Sequence, residues 1–278
     1  MIGFRNKITS CAPDPEIVQI RTNTILATQP EGLHDEYQYI EHADLGYTGH
    51  VRDLKEELVA PVSHAHAILT ASRLLRASID EKIRSKGKTL DFDEIGVMSG
   101  LFLTLLTSQG NMRRGVFANN SSFGLLRDNR TVKQQHDSTT RDAMAIDKID
   151  KATETLHNIT ADDERILLLT LCHGGLISGG AVYALDQQQN PRPGSFFYPI
   201  RFSRAKHRDK APRLTDKEKR AIERYARDRQ VVIFDEDIST GRTMKNAQEN
   251  IQEIAGKTAL VLTTLDARKN FAHFDSTD

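Results

Sequence analysis

Only two cysteines, Cys11 and Cys172, occur in the 278 residues. They form no CxxC pair and no metal-type spacing, which argues against a disulfide framework or a zinc module, and no residues are assigned as metal ligands. Two thiols without a pattern suit a reducing compartment. An excess of one charge is missing as well. Lys plus Arg equals Asp plus Glu at 38 each, so nothing global draws the chain to nucleic acid or to a membrane surface. Long apolar runs are also lacking. The longest, residues 97–106, is too short to span a bilayer and is broken by Ser99 and Gly100. Residues 1–7 hold no apolar signal core, and there is no internal repeat or low-complexity tract. The expectation is a cytoplasmic globular protein with neither nucleic-acid nor membrane partners. Its length allows one large domain or two small ones.

What is present divides the chain near residue 160. In residues 51–85 apolar side chains recur at helical spacing, through Leu54, Leu58, Ile68, Leu69, Leu74, Leu75 and Ile79. Pro61 should divide that run. A second helix is expected over 92–108, opened by acids that suit the positive end of its dipole. A third is expected over 138–158. After residue 160 the period changes. Arg165-Ile-Leu-Leu-Leu-Thr-Leu171 is a continuous apolar run, the pattern of a strand covered on both faces. Residues 195–203 read as another strand. Thr215 and Glu218 form a capping box that opens a helix to about residue 228. A strand from Val231, a helix over 245–254 stopped by Gly256, and a strand over 258–263 follow. Strands alternating with helices predict an α/β core with a parallel sheet over 161–278. A mainly helical region, 1–160, precedes it as a substrate hood or partner module.

Within that core, residues 231–244, VVIFDEDISTGRTM, carry the chemistry. Four consecutive apolar residues, Val231 to Phe234, lead into Asp235, Glu236 and Asp237, then into a small hydroxyl-rich turn. One reading is a nucleophilic aspartate, because haloacid-dehalogenase-like phosphatases carry Asp-x-Asp-x-Thr after a strand. Those enzymes place most of their sheet after that strand, and here only one helix and one strand remain. The other reading is a sugar-phosphate cradle. A turn at a helix N-terminus offers free N–H groups and a positive dipole end to a phosphate. Gly241 permits close approach, Thr240 and Thr243 add hydroxyls, and the carboxylates can accept hydrogen bonds from ribose hydroxyls.

The second reading resembles the phosphoribosyl-diphosphate (PRPP) motif of type I phosphoribosyltransferases: Val231-Val-Ile-Phe234 as strand, Asp235-Glu236 as acid pair, Ser239-Thr240-Gly241-Arg242-Thr243 as turn. Upstream, Leu171-Cys172-His173-Gly174-Gly175 resembles the family's pyrophosphate loop. The resemblance spans roughly residues 165–264. It implies a type I phosphoribosyltransferase-like parallel sheet flanked by helices. It also implies Mg²⁺-dependent transfer of a phosphoribosyl group between PRPP and a nitrogenous base or related small acceptor, with pyrophosphate leaving. The implied catalytic residues are Asp235, Glu236 and Arg204. The implied donor-binding residues are Cys172, His173, Gly174, Gly175, Arg201, Asp237, Ser239, Thr240, Gly241, Arg242 and Thr243. Arg201 or Arg204, at the end of a strand, would meet the pyrophosphate. Ser239 stands where many purine enzymes of the family carry an aspartate base, so a purine acceptor does not carry over. A non-catalytic PRPP-binding regulator would keep the same cradle, and a homodimer is compatible with either.

Overall fold

The computed structural model describes residues 46–61, 63–107, 124–134, 138–162, 164–172, 174–202, 209–238 and 240–266, with Pro15, Asn23 and Ile40. Its first strand, β1 (Tyr47–His50), pairs antiparallel with β2 (Thr131–Gln134). Between them run α1 (Val51–Val59), α2 (His64–Ser85) and α3 (Phe92–Thr107). Pro61 separates α1 from α2, and Ser63 starts α2 by accepting a hydrogen bond from the His66 N–H at 3.1 Å. The helix ends where Lys86 and Gly87 take positive φ. Of its 22 residues, 16 are buried, so α2 is covered on nearly every side. The single helix expected over 138–158 is two: α4 (Ser138–Ala143) and α5 (Ile146–Ile159). Ala145 adopts ψ 135° and breaks the helix, with Ala143 and Met144 buried at the corner.

The second half alternates as expected: β3 (Ile166–Cys172), α6 (Leu176–Gln189), β4 (Phe196–Arg201), α7 (Asp216–Ala226), β5 (Gln230–Ile238), α8 (Arg242–Ala255) and β6 (Ala259–Asp266). The strands form one parallel sheet in the order β4-β3-β5-β6. Every residue of β3 and β4 is buried, which requires cover on both faces. Helices α5 and α6 pack together, as do α7 and α8. Gly179 and Gly180 let α6 fit between sheet and helix. A Cβ at Gly179 would lie 2.7 Å from Thr170 Oγ1 and 2.8 Å from Phe234 Cδ1, and one at Gly180 would lie 2.7 Å from Phe102 of α3. The fold is thus α/β, a four-stranded parallel sheet flanked by helices. Among the described residues, no helix is long and apolar enough to cross a membrane.

The two halves share one hydrophobic core. Phe92 of α3 stacks on Tyr198 and Phe196 of β4 and on Tyr225 of α7, with centroids 4.6 to 5.8 Å apart. Beside this stack, Lys82 of α2 forms a fully buried ion pair with Glu218 of α7. Tyr198 Oη donates to the same carboxylate at 2.9 Å. Glu218 is also the capping residue of α7, accepting from the Thr215 N–H at 2.8 Å while its own N–H donates to Thr215 Oγ1 at 3.2 Å.

Removing one member of a buried pair strands the other charge. Lys82→Met should cost about 3–5 kcal/mol in urea unfolding. Adding Glu218→Gln should return more than half of that loss, because no charge is then left unpaired.

Glu94, in the first turn of α3, is half-buried, and its carboxylate accepts from the Asp91 N–H at 2.8 Å. Burial, with the Asp91 carboxylate beside it, pushes Glu94 up to about 7. The folded state therefore favours the protonated form. The stability this group contributes is fully present below its ordinary value of 4.5 and is lost as pH rises towards 7. Glu94→Gln should flatten the pH dependence of the urea midpoint in that window, and an unchanged slope would refute the assignment.

Candidate functional site

After β3 the chain adds β4 on one side, then crosses back to add β5 on the other. The strand order reverses between β3 and β5, and in open α/β sheets the carboxyl ends at such a point form the ligand crevice. Here those ends carry the two sequence motifs. Cys172 closes β3 and is followed by Gly174 and Gly175, while Asp235, Glu236 and Asp237 close β5. The two helices that follow start bare. Gly175 and Gly241 sit at the N-caps of α6 and α8, and neither start has a side-chain cap hydrogen bond. The first-turn N–H groups have no intrahelical partner.

β5 does not stop at Phe234; it runs through the acids to Ile238. Successive side chains on a strand point to opposite faces, so Asp235 and Asp237 share one face and Glu236 takes the other with Phe234. The Glu236 carboxylate lies over Gly174, where any Cβ would overlap it. Its carbonyl accepts from the hydroxyls of Thr263 at 3.2 Å and Thr264 at 2.9 Å, both on β6. Asp235 is half-buried and accepts from the Glu236 N–H at 3.1 Å. Burial, then the neighbouring Glu236 and Asp237 charges, pushes its carboxyl well above the usual carboxylate range.

Gly241 has φ +71°, a conformation that costs a side-chain-bearing residue free energy. Arg242 N–H approaches Thr240 Oγ1 at 3.5 Å, and Thr240 and Arg242 are exposed. Thr243, in the first turn of α8, is half-buried. Arg201, at the end of β4, is 5 % exposed. Its Nε donates to Asp80 of α2 at 3.0 Å and its Nη1 to the Cys172 carbonyl at 3.4 Å. Cys172 is buried, and burial pushes its thiol up to about 12, so it stays protonated and is no nucleophile. His173, Arg204 and Ser239 lie outside the described residues.

Sequence reasoning missed the contribution of α2. Arg76 and Asp80 are one turn apart and share a face, and Asp80 is held by Arg201, which also reaches the Cys172 carbonyl at the end of β3. Arg76 is 7 % exposed and its Nε has no hydrogen-bond partner. Cys172, Glu236 and Asp80 are its charged or ionisable neighbours, and burial lowers its pKa. The signal lay in the sequence as Arg73 and Arg76 inside a stretch, Ala71 to Ala77, that is apolar apart from them and Ser72. Arg73 serves the fold, lying 4.7 Å over the Tyr47 ring and donating to the Gly46 carbonyl at 3.3 Å.

Among the described residues, no three His, Cys, Asp or Glu side chains converge so as to hold a metal ion. A surface depression lined by Ala161, Glu164, Arg165 and Asp228 adjoins the amino ends of β3 and β5, away from the motifs. No family model, no curated protein and no solved structure matches the chain.

Two glycines separate site from scaffold. Gly174→Ala meets only the end of a side chain, so it should change stability by less than about 1 kcal/mol while displacing Glu236. Gly179→Ala meets Thr170 and Phe234 in the packed interior and should cost about 1–3 kcal/mol. Urea unfolding of both variants checks the contrast, and a reversed order would show that the β3 loop is scaffold.

Proposed function

We propose that the chain is a Mg²⁺-dependent phosphoribosyltransferase of the type I kind, acting on PRPP and a nitrogenous base or related acceptor. One observation carries the reading. The glycine loop after β3 and the acids of β5, some sixty residues apart in sequence, meet at the strand-order reversal, with two uncapped helix starts beside them. The 5′-phosphate is held by the first turn of α8, where Gly241 lets it reach backbone N–H groups. A ribose lying across the end of β5 meets Asp235 and Asp237 from one face of the strand and Glu236 from the other. The diphosphate lies toward Gly174 and Gly175. The acceptor attacks the anomeric carbon, the bond to the diphosphate oxygen breaks, and that oxygen keeps the electron pair. Positioning and electrostatic support of the leaving group supply the rate.

Mg²⁺ is ordinarily bound by one or two carboxylates together with substrate phosphates rather than by an all-protein cage. The acids closing β5 suit that role beside a diphosphate, and the metal would neutralise the leaving group. The phosphatase reading needs Asp235 itself as the nucleophile, and formation of an aspartyl-phosphate there divides it from the transferase. A PRPP-binding regulator remains the rival of another class, and turnover divides the two.

PRPP with Mg²⁺ at a hundred times its Kd should stabilise the protein by about 2.7 kcal/mol and raise Tm by several degrees, with ribose 5-phosphate doing less. Pyrophosphate release with one of a panel of bases identifies the enzyme; binding without release identifies the regulator. No thermal shift and no calorimetric heat at saturating PRPP would sink both, and an aspartyl-phosphate trapped at Asp235 would replace them with the phosphatase. Asp235→Asn with Glu236→Gln should lower PRPP affinity and turnover together. Gly241→Val, forced to positive φ, should abolish PRPP binding with both acids intact.

A further inference from the structure

The helical half places a charged side chain against the ends of the sheet. A guanidinium keeps its charge even when burial lowers its pKa, and it needs hydrogen-bond acceptors. Buried charges are normally paired and hydrogen-bonded. Arg76 is 7 % exposed, yet its Nε has no such partner. The acids near it are engaged or turned elsewhere. Asp80 accepts from Arg201 Nε at 3.0 Å, and the Glu236 carboxylate lies against Gly174.

The Glu236 carboxylate, whose charge acts on Arg76, lies against Gly174, and the next residue opens a second feature of anion sites. The start of α6, a 14-residue helix, has Gly175 at its N-cap and no side-chain cap. Thr170 Oγ1 holds the Gly175 carbonyl at 2.6 Å, which fixes the loop. Free N–H groups at a helix start and a cation with open donor capacity bind the same class of ligand.

We propose that Arg76, carried by the helical half, is a diphosphate-binding residue that acts with the Gly174–Gly175 loop at the start of α6. The inference rests on the PRPP reading for the identity of its full ligand, but the anion chemistry stands on the residues themselves. It gives the helical half a role towards the donor substrate, in place of a hood for the acceptor alone. Glu236 is the countercharge that accompanies Arg76 when no ligand is bound.

The test compares inorganic pyrophosphate, PRPP and ribose 5-phosphate by calorimetry on the full chain and on Arg76→Met and Arg76→Lys, with circular dichroism and urea unfolding as folding controls. Folded Arg76→Met should bind pyrophosphate and PRPP at least tenfold more weakly, with ribose 5-phosphate affinity unchanged. Arg76→Lys should recover part of the loss, because a point charge replaces a forked donor. Wild-type pyrophosphate and PRPP affinity in folded Arg76→Met would overturn the proposal and leave the PRPP reading intact. An equal loss of all three ligands, unrescued by lysine, would also overturn it and mark Arg76 as structural. Should the wild type bind pyrophosphate but not PRPP, the PRPP reading fails, while loss of pyrophosphate binding in Arg76→Met still supports the anion site. If Arg76→Met does not fold, Arg76→Lys alone decides: pyrophosphate affinity weakened relative to ribose 5-phosphate supports the role, and an unchanged ratio overturns it.

Discussion

The buried ion pair between Lys82 and Glu218 is the constraint from which the arrangement of the two halves follows. Both side chains are fully withdrawn from water, and such a pair is tolerated only where further hydrogen bonds satisfy it. Tyr198 and the Thr215 N–H supply those bonds. The pair therefore fixes α2 against β4 and against the start of α7 at once. Arg76 and Asp80 lie less than two turns back along the same helix. Their position at the mouth of the sheet depends on that anchor.

The mouth itself gathers opposite charges in a poorly solvated place. Arg201 and Asp80 pair directly, and the Glu236 charge acts on Arg76 through space. Coulombic effects are larger there than at the surface. Three cations near Cys172 pull its thiol down, and burial still wins. A group whose charge matters in this crevice must be paired by the protein or by a ligand.

Much of the fold was legible in the sequence because it is written locally. The apolar run of β3, the Thr215–Glu218 capping box and Gly256 at φ +67° each announce themselves within a few residues. The β1–β2 pair did not, since four-residue strands some eighty positions apart show no usable alternation. The corner at Ala145 was hidden because the apolar spacing of 138–158 continues through it. In the site, the glycines and acids were legible as motifs, but their meeting is a product of strand order. The run of the strand past Phe234, which parts Glu236 from its two acidic neighbours, is set by pairing with Thr263 and Leu265 of β6. Arg76 was overlooked because its meaning comes from what packs around α2, which no window of sequence contains.

Glu218 serves two structures with one carboxylate. One oxygen closes the first turn of α7 and the other neutralises a lysine from another part of the chain. Helix ends ordinarily fray with little free energy, so their amides exchange with solvent early. In α7 the first turn cannot open without leaving Lys82 charged and unpaired in the interior. Its opening is thereby tied to separation of the helical half from the sheet. The start of this helix should therefore exchange later than a helix end ordinarily does, together with the core that joins the two halves.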